Sequence, residues 1–278
     1  MRWQSWMVLA AVVPWCAVAA LRHATAAWNG GTQTALGISL GFALLVLLAS
    51  AATPLAALTG GVLTAVLTLA PLPGPGPVSW YHSALPALLA LFLLTFSATR
   101  FGRGKKQQLG VAEDKRGRNA AQVAANLGVA GLGAAAALSH PLPGACYAVL
   151  VAAALAEATA DTLASELGEV LGGQPLMVTT RRRVPPGTDG AISLAGTLAG
   201  LGGAVLVVLV ATLTLGLGVS DAVCTGMGAA GGLFVDSLLG ATAERRGWLN
   251  NDAVNFLSTV VAAAIAGLFF AIIRCQCL

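Results

Sequence analysis

The chain has 278 residues, of which 57% are hydrophobic and 9% charged, with a formal net charge of +4 and a mean hydropathy of +0.81. Soluble domains carry roughly 25% charged residues, so this composition excludes an ordinary water-soluble globule and points to a lipid bilayer as solvent. Ten-residue stretches of alternating hydrophobicity are missing, which excludes an outer-membrane barrel.

Apolar runs long enough to span recur from end to end. The expected fold is an all-α, polytopic transmembrane helical bundle of about nine membrane segments. In chain order these are 5–21, 35–50, 54–70, 79–97, 119–139, 144–170, 190–217, 221–243 and 252–273. The first has the outline of a signal peptide, but Pro14 and Trp15 favour a retained helix. The second and third are short, at roughly 16 residues, and Thr53-Pro54 makes them a hairpin or one broken element. The run Pro71–Pro77 cannot be helical and is expected to turn. The cysteines are scattered without metal-ligand spacing and read as small core residues. Three parts follow: transmembrane segments in 1–98, a basic loop at 99–118, and a C-terminal bundle in 119–278 that carries the candidate site.

Charge placement gives the orientation. Thirteen of the 15 basic residues fall on one side if the segments are right: Arg2, the group from Arg100 to Arg118, Arg181 to Arg183, and Arg245 with Arg246. Only Arg22 and Arg274 fall on the other. The positive-inside rule then places the N-terminus and these loops in the cytoplasm, as for a protein of the bacterial inner membrane.

Polar residues inside the segments ask for a partner or a purpose, because a carboxylate at mid-bilayer costs at least a few kcal/mol. Glu157, Asp161, Ser165 and Gly168 fall on one helical face, with Glu166 pointing away. Asp161 lies roughly 13 Å from residue 170 along the helix. Asn119, Gln122 and Asn126 form a row near the same end of the fifth segment, where they either line a site or join helices. Asp236 with Ser237, and Asn255 with Ser258, lie within two turns of that end in the last two segments. The seventh is introduced by Val184 to Ser193, in which Pro186-Gly187 signals a turn and Thr188 or Asp189 an N-cap.

The chemistry this set suits is handling of a phosphate-bearing substrate. Asp161 and Asp236, from different helices, can share a divalent hard cation such as Mg²⁺. Arg100, Lys105, Lys106, Arg118, Arg181 and Arg182 supply positive charge for a polyphosphate, and the Gly187–Gly190 turn offers backbone N–H groups. The triple arginine serves equally as a topology determinant or a contact for anionic lipid. The expected partners are the bilayer, a lipid phosphate and a nucleotide, with no nucleic acid. An ion-coupled transporter or flippase with Glu157 and Asp161 as ion sites is the competing reading.

These same stretches carry a family resemblance. S-A-T-R-F-G (Ser97–Gly102) with Q-V-A-A-N (Gln122–Asn126), D-T-L-A-S-E-L-G (Asp161–Gly168), V-P-P-G-T-D-G-A-I-S-L-A-G-T (Val184–Thr197), V-D-S-L-L-G-A (Val235–Ala241) and N-N-D-A-V-N-F-L-S (Asn250–Ser258) occur in order. Together they resemble the integral membrane family that contains the phytyl-phosphate kinase of the plant vitamin E pathway and its animal and prokaryotic relatives. The resemblance covers Ser97 to Ala264. It implies an isoprenyl-phosphate kinase that converts a prenyl monophosphate to the diphosphate. The Asp-x-x-Ala-Ser element is also similar to that of CTP-using membrane enzymes, which implies CTP as donor and leaves a cytidylyltransferase as the alternative. Carried over to this chain, the resemblance singles out Arg100, Asn126, Asp161, Ser165, Glu166, Gly187, Thr188, Asp236 and Asn255. On the kinase reading Asp161 and Asp236 are expected to be metal ligands, and Asp161 with Glu166 catalytic. The chain departs from the family at Thr159-Ala160-Asp161-Thr162-Leu163, where Asn-Gly-Asp-Thr-Trp is usual.

Overall fold

The computed structural model describes residues 3–73, 80–112, 117–139 and 144–275. Parts of three expectations lie outside these residues: positions 74–77 of the expected Pro71–Pro77 turn, the basic pair Lys115-Arg116, and Arg2.

Ten α-helices make up the described fold: α1 (Trp3–Ala26), α2 (Gly30–Leu48), α3 (Pro54–Leu69), α4 (Leu85–Arg100), α5 (Arg103–Leu109), α6 (Ala120–Ser139), α7 (Gly144–Leu171), α8 (Leu194–Leu215), α9 (Val219–Leu239) and α10 (Asn251–Cys275). Seven of them are long and apolar enough to cross a membrane. The α4–α5 pair, bent by 61°, brings this to as many as eight, and α3 is a shorter apolar helix. The fold is thus an all-α polytopic membrane bundle, in which every expected segment overlaps one helix.

Helix starts follow from short polar side chains. Thr53 and Asn29 accept the first free amides of α3 and α2. Asn119 and Gln122 form a reciprocal capping box on α6: Asn119 Oδ1 takes the amides of Ala121 and Gln122, and Gln122 Oε1 takes that of Asn119. The Thr53-Pro54 pair therefore separates two helices. Thr188 and Asp189 do not cap α8, which begins only at Leu194 under Ser193, whose Oγ accepts the Gly196 amide at 3.1 Å. The residues before it fold as a small hairpin of β1 (Leu176–Met177) and β2 (Ala191–Ile192), antiparallel, pairing Leu176 with Ile192. Sequence patterning misses it because two-residue strands carry no periodicity.

Helix α7 is the centre. It packs on α4, α6, α8, α9 and α10, and every residue from Val151 to Ala160 is buried. Its alanines meet glycines opposite: a methyl added at Gly196 or Gly200 of α8 would fall 2.5 Å from the carbonyl oxygens of Ala164 and Ala160. Small residues facing each other let backbones approach where lipid offers no hydrophobic drive to association. The opposite face of α8 exposes Leu194, Leu198, Leu209 and Leu213, as a lipid-facing surface does.

One end of the bundle gathers the connections. Arg118 forms a parallel bridge with Ala52 in the α2–α3 turn. Arg100 donates to the Ala49 carbonyl at 2.7 Å, and Lys105 to that of Val170 at 2.6 Å. Gln4 and Ser5 of α1 bond to residues 248–252 at the start of α10. The basic loops that the sequence placed on one side are therefore at one end. At the other, Arg274 faces Asp221 at 3.5 Å.

Candidate functional site

A polar cavity of about 370 Å³ opens at the end where the basic loops meet. Helices α6, α7, α9 and α10 supply its polar side chains, and the β1–β2 hairpin with the first turn of α8 closes one flank. A π-helical turn, Gly240–Glu244, extends α9 at the rim; such turns widen a helix locally and recur at functional sites. The left-handed Gly190 of the hairpin (φ 72°) lies against this turn, where an added methyl would sit 2.2 Å from the Ala241 nitrogen.

Asp161 of α7 and Asp236 of α9 meet in this cavity, their carboxyl groups close enough for a side-chain hydrogen bond. Asp236 Oδ1 is buried with no hydrogen-bond partner among the described residues. Arg118 stands beside Asp161 and reaches Thr162 Oγ1 at 3.4 Å. Across the cavity, Asn255 donates to Asn126 Oδ1 at 3.3 Å, while Asn126 donates to the Gln122 carbonyl at 2.9 Å. Each amide thus keeps hydrogen-bonding capacity.

Of the residues singled out by sequence, Asp161, Asp236, Glu166, Arg118, Asn126, Ser165, Gly187, Thr188 and Asn255 all line the cavity. Glu166 is also held from behind: it accepts from Thr99 Oγ1 at 2.8 Å and pairs with Lys106. Gly187, left-handed at φ 78°, backs onto Val111, and Thr188 bonds to the Pro185 carbonyl at 2.7 Å. The other basic residues lie elsewhere. Lys106 is buried, its ammonium satisfied by Glu166 and the carbonyls of Ala98 and Thr99. Lys105 caps α7, Arg100 stacks 3.9 Å over Phe96, and Arg181 and Arg182 are exposed in the hairpin turn. Because α8 starts at Leu194, the Gly187–Gly190 amides belong to a turn and not to a helix N-terminus.

The lining also includes Glu169, Ser193, Thr197 and Glu244. Glu244 had no signal in the sequence, since the widened turn that brings it to the rim leaves no mark in the residue pattern. Glu157 lies one turn deeper than Asp161, fully buried beside Ser258 without a well-formed hydrogen bond.

The residues fit a divalent cation of the Mg²⁺ type. That ion needs only one or two carboxylates, with water and substrate phosphates completing its shell. Paired Asp161 and Asp236, with an unsatisfied buried oxygen on the latter, meet that need. Among the described residues no three His, Cys, Asp or Glu side chains form a closed cage, so a structural zinc-type centre does not match.

Comparison with known proteins places the chain among integral membrane proteins. Residues 37–263 match the family model described as integral membrane protein DUF92. An uncharacterized membrane protein of Methanocaldococcus jannaschii is 43% identical over 116 residues, 42% of this chain and 48% of its own length. One from Synechocystis is 33% identical over 193 residues, 64% of this chain and 70% of the relative. Protein VTE6, chloroplastic, of Arabidopsis thaliana is 29% identical over 201 residues, 69% of this chain and 60% of that protein. The chain therefore spans about half the length of the first relative and under two thirds of the plant one. No solved structure matches it.

Proposed function

The chain belongs to the DUF92 family of integral membrane proteins, and on that premise we propose that it is a membrane isoprenyl-phosphate kinase. It transfers the terminal phosphoryl group of a nucleotide, CTP by family resemblance, to a prenyl monophosphate such as phytyl phosphate. The observation that carries the reading is the meeting of Asp161 and Asp236 in a polar cavity that also holds Arg118 and the Asn126–Asn255 pair. By the positive-inside rule the basic loops at this end support a cytoplasmic site, within reach of both a lipid phosphate and a cytosolic nucleotide.

Phosphoryl transfer needs positioning and charge neutralisation more than covalent help from the protein. An oxygen of the acceptor phosphate attacks the γ-phosphorus, the bond from that phosphorus to the β-bridging oxygen breaks, and the nucleoside diphosphate leaves. The acceptor is already an oxyanion, so no proton has to be removed. Arg118 neutralises phosphate charge, and Asn126 and Asn255 orient phosphate oxygens through their amides. Thr188 and the Gly187 backbone contact the nucleotide phosphates from the hairpin side. Asp161 and Asp236 would hold a Mg²⁺ ion, which would supply charge neutralisation to the phosphates.

The test is purified protein with phytyl phosphate, Mg²⁺ and each nucleoside triphosphate in turn. Prenyl diphosphate and nucleoside diphosphate are the expected products, lost in Asp161→Asn and Asp236→Asn while thermal unfolding in detergent is retained. A cytidylylated lipid with release of pyrophosphate would assign the chain to nucleotidyl transfer. Full turnover in either variant would remove the carboxylate pair from the mechanism.

A further inference from the structure

A second cavity, mostly apolar, adjoins the polar one. It runs between α2, α3, α4 and α6, with Ala158 of α7 at its base. Along α4 its wall is Leu88, Leu91, Phe92, Thr95, Phe96 and Thr99, ending at Arg100. Phe92 is edge-on to Phe42 of α2 at 5.2 Å and stacked with Phe96 at 5.4 Å, so one wall is a continuous aromatic surface. The groove becomes basic at one end. There it meets Arg100, Arg103 and Arg118, and two residues, Arg118 and Asn126, line both cavities. A further link is the hydrogen bond from Thr99, on the groove wall, to Glu166, on the polar wall.

We infer that this groove binds the apolar tail of an anionic lipid whose phosphate rests at the Arg118–Asn126 junction, and that its length selects the tail. The inference rests on the kinase reading for the reaction, but the groove's chemistry stands on its own: apolar walls, one basic end, and a shared boundary with the polar cavity. From Leu88 to Arg100 along α4 is about 18 Å at about 1.5 Å per residue. An extended chain covers about 1.2 Å per bond, so the groove takes about fifteen bonds. That matches the sixteen-carbon main chain of a four-isoprene lipid. A three-isoprene chain leaves the Leu88 end unfilled, and a longer one has to leave the groove. Leu88, Leu91 and Phe92 are therefore specificity-determining residues, and Arg118 is where the head is placed.

The experiment measures binding without nucleotide, so it is independent of turnover. Purified protein in detergent is titrated with octyl phosphate and hexadecyl phosphate and read by native mass spectrometry. In Leu88→Trp, which fills the far end, hexadecyl phosphate is expected to weaken about fifty-fold, the equivalent of about three methylenes withdrawn from burial. Octyl phosphate, which does not reach that end, should change less than about twofold. Equal loss of both ligands, or no loss of either, overturns the inference. A second measurement needs no variant: hexadecyl phosphate with a terminal diazirine is bound to the wild-type protein, and the crosslinked peptide is identified. Label within Leu85–Phe92 or on the facing α2 supports the groove, and label confined to α8 or α9 overturns it. Diphosphate formation without this length dependence would leave the kinase reading standing and the tail site refuted; length-dependent binding without diphosphate formation would do the reverse.

Discussion

Lys106 offers the sharpest test of how the site is supported. Its three ammonium protons have three acceptors: the Ala98 carbonyl at 2.8 Å, the Thr99 carbonyl at 3.2 Å and the Glu166 carboxylate. The side chain is 1% exposed and that of Glu166 17%, so solvent screening is slight. The two carbonyls belong to the last turn of α4, where helical acceptors run short of donors; that of Ala98 also takes the Phe101 amide at 3.2 Å. One ammonium thus closes α4, fixes α5 beneath it and holds Glu166 at the cavity wall. Lys106→Met keeps most of the apolar stem but leaves a carboxylate and two carbonyls without this donor. Breaking a buried pair from one side costs about 3–5 kcal/mol. Glu166→Gln keeps the contact with Thr99 Oγ1, and in the double variant the uncompensated charge is gone. The double variant should therefore be more stable than Lys106→Met alone, with a coupling of at least about 1 kcal/mol. The assay is reversible unfolding in mixed SDS micelles, run on all four corners of the cycle. A coupling below about 0.5 kcal/mol, within ordinary additivity, would refute the argument that this pair is a buried strut.

Two further expectations are read in the same unfolding assay. Gly190→Ala combines a left-handed backbone (φ 72°) with a methyl driven 2.2 Å from the Ala241 nitrogen; it should destabilise by more than about 1 kcal/mol and weaken nucleotide binding, measured by isothermal titration, because the hairpin is levered off the π-helical turn. Arg274→Ala removes a partner of Asp221 that is 58% exposed and 3.5 Å away; its effect should stay within about 0.5 kcal/mol.

Hydropathy and charge made the fold class legible, because each spanning helix needs about 20 apolar residues and each connection must turn in water. The polar residues of the site were legible for the same reason: Asp161, Asp236, Asn126 and Asn255 stand out only because lipid-facing sequence has no use for them. The basic residues were not separable in this way. Lys105 and Lys106 are adjacent in a seven-residue helix, yet one caps α7 and the other is buried in an ion pair. Which face such a short polar helix turns inward depends on the 61° bend after α4, which Phe101-Gly102 does not specify on its own. The hairpin escaped for a related reason: residues 171–189 read as a loop between two segments, and contact with Ala241 in the π-helical turn helps to fix the path of the second strand. The apolar groove is invisible in sequence because its apolar residues come from several helices, each of which reads as ordinary core.

The encounter of Asp161 with Asp236 depends on a glycine one turn away from the latter. Gly232 lets α9 lie directly on α7 and α10: an added methyl would be 2.5 Å from Glu157 Cγ, 2.8 Å from Ala262 Cβ and 2.9 Å from the Ser258 carbonyl oxygen. None of these is the free end of a flexible side chain, and one is backbone, so relief requires α9 to move away from both neighbours. Gly232→Ala should cost about 1–3 kcal/mol by overpacking. The larger effect falls on turnover, since displacing a catalytic group by about 1 Å is enough for a loss on the order of 100-fold. Gly226 provides the control on the same helix, because nothing lies within 4 Å of a methyl placed there; its replacement by Ala should be neutral or stabilising by up to about 1 kcal/mol. Comparing the kcat of the two variants isolates helix spacing from helix propensity. Equal kcat in Gly232→Ala and Gly226→Ala would mean that the separation of α7 and α9 does not govern the chemistry, and that the two aspartates do not work as a pair.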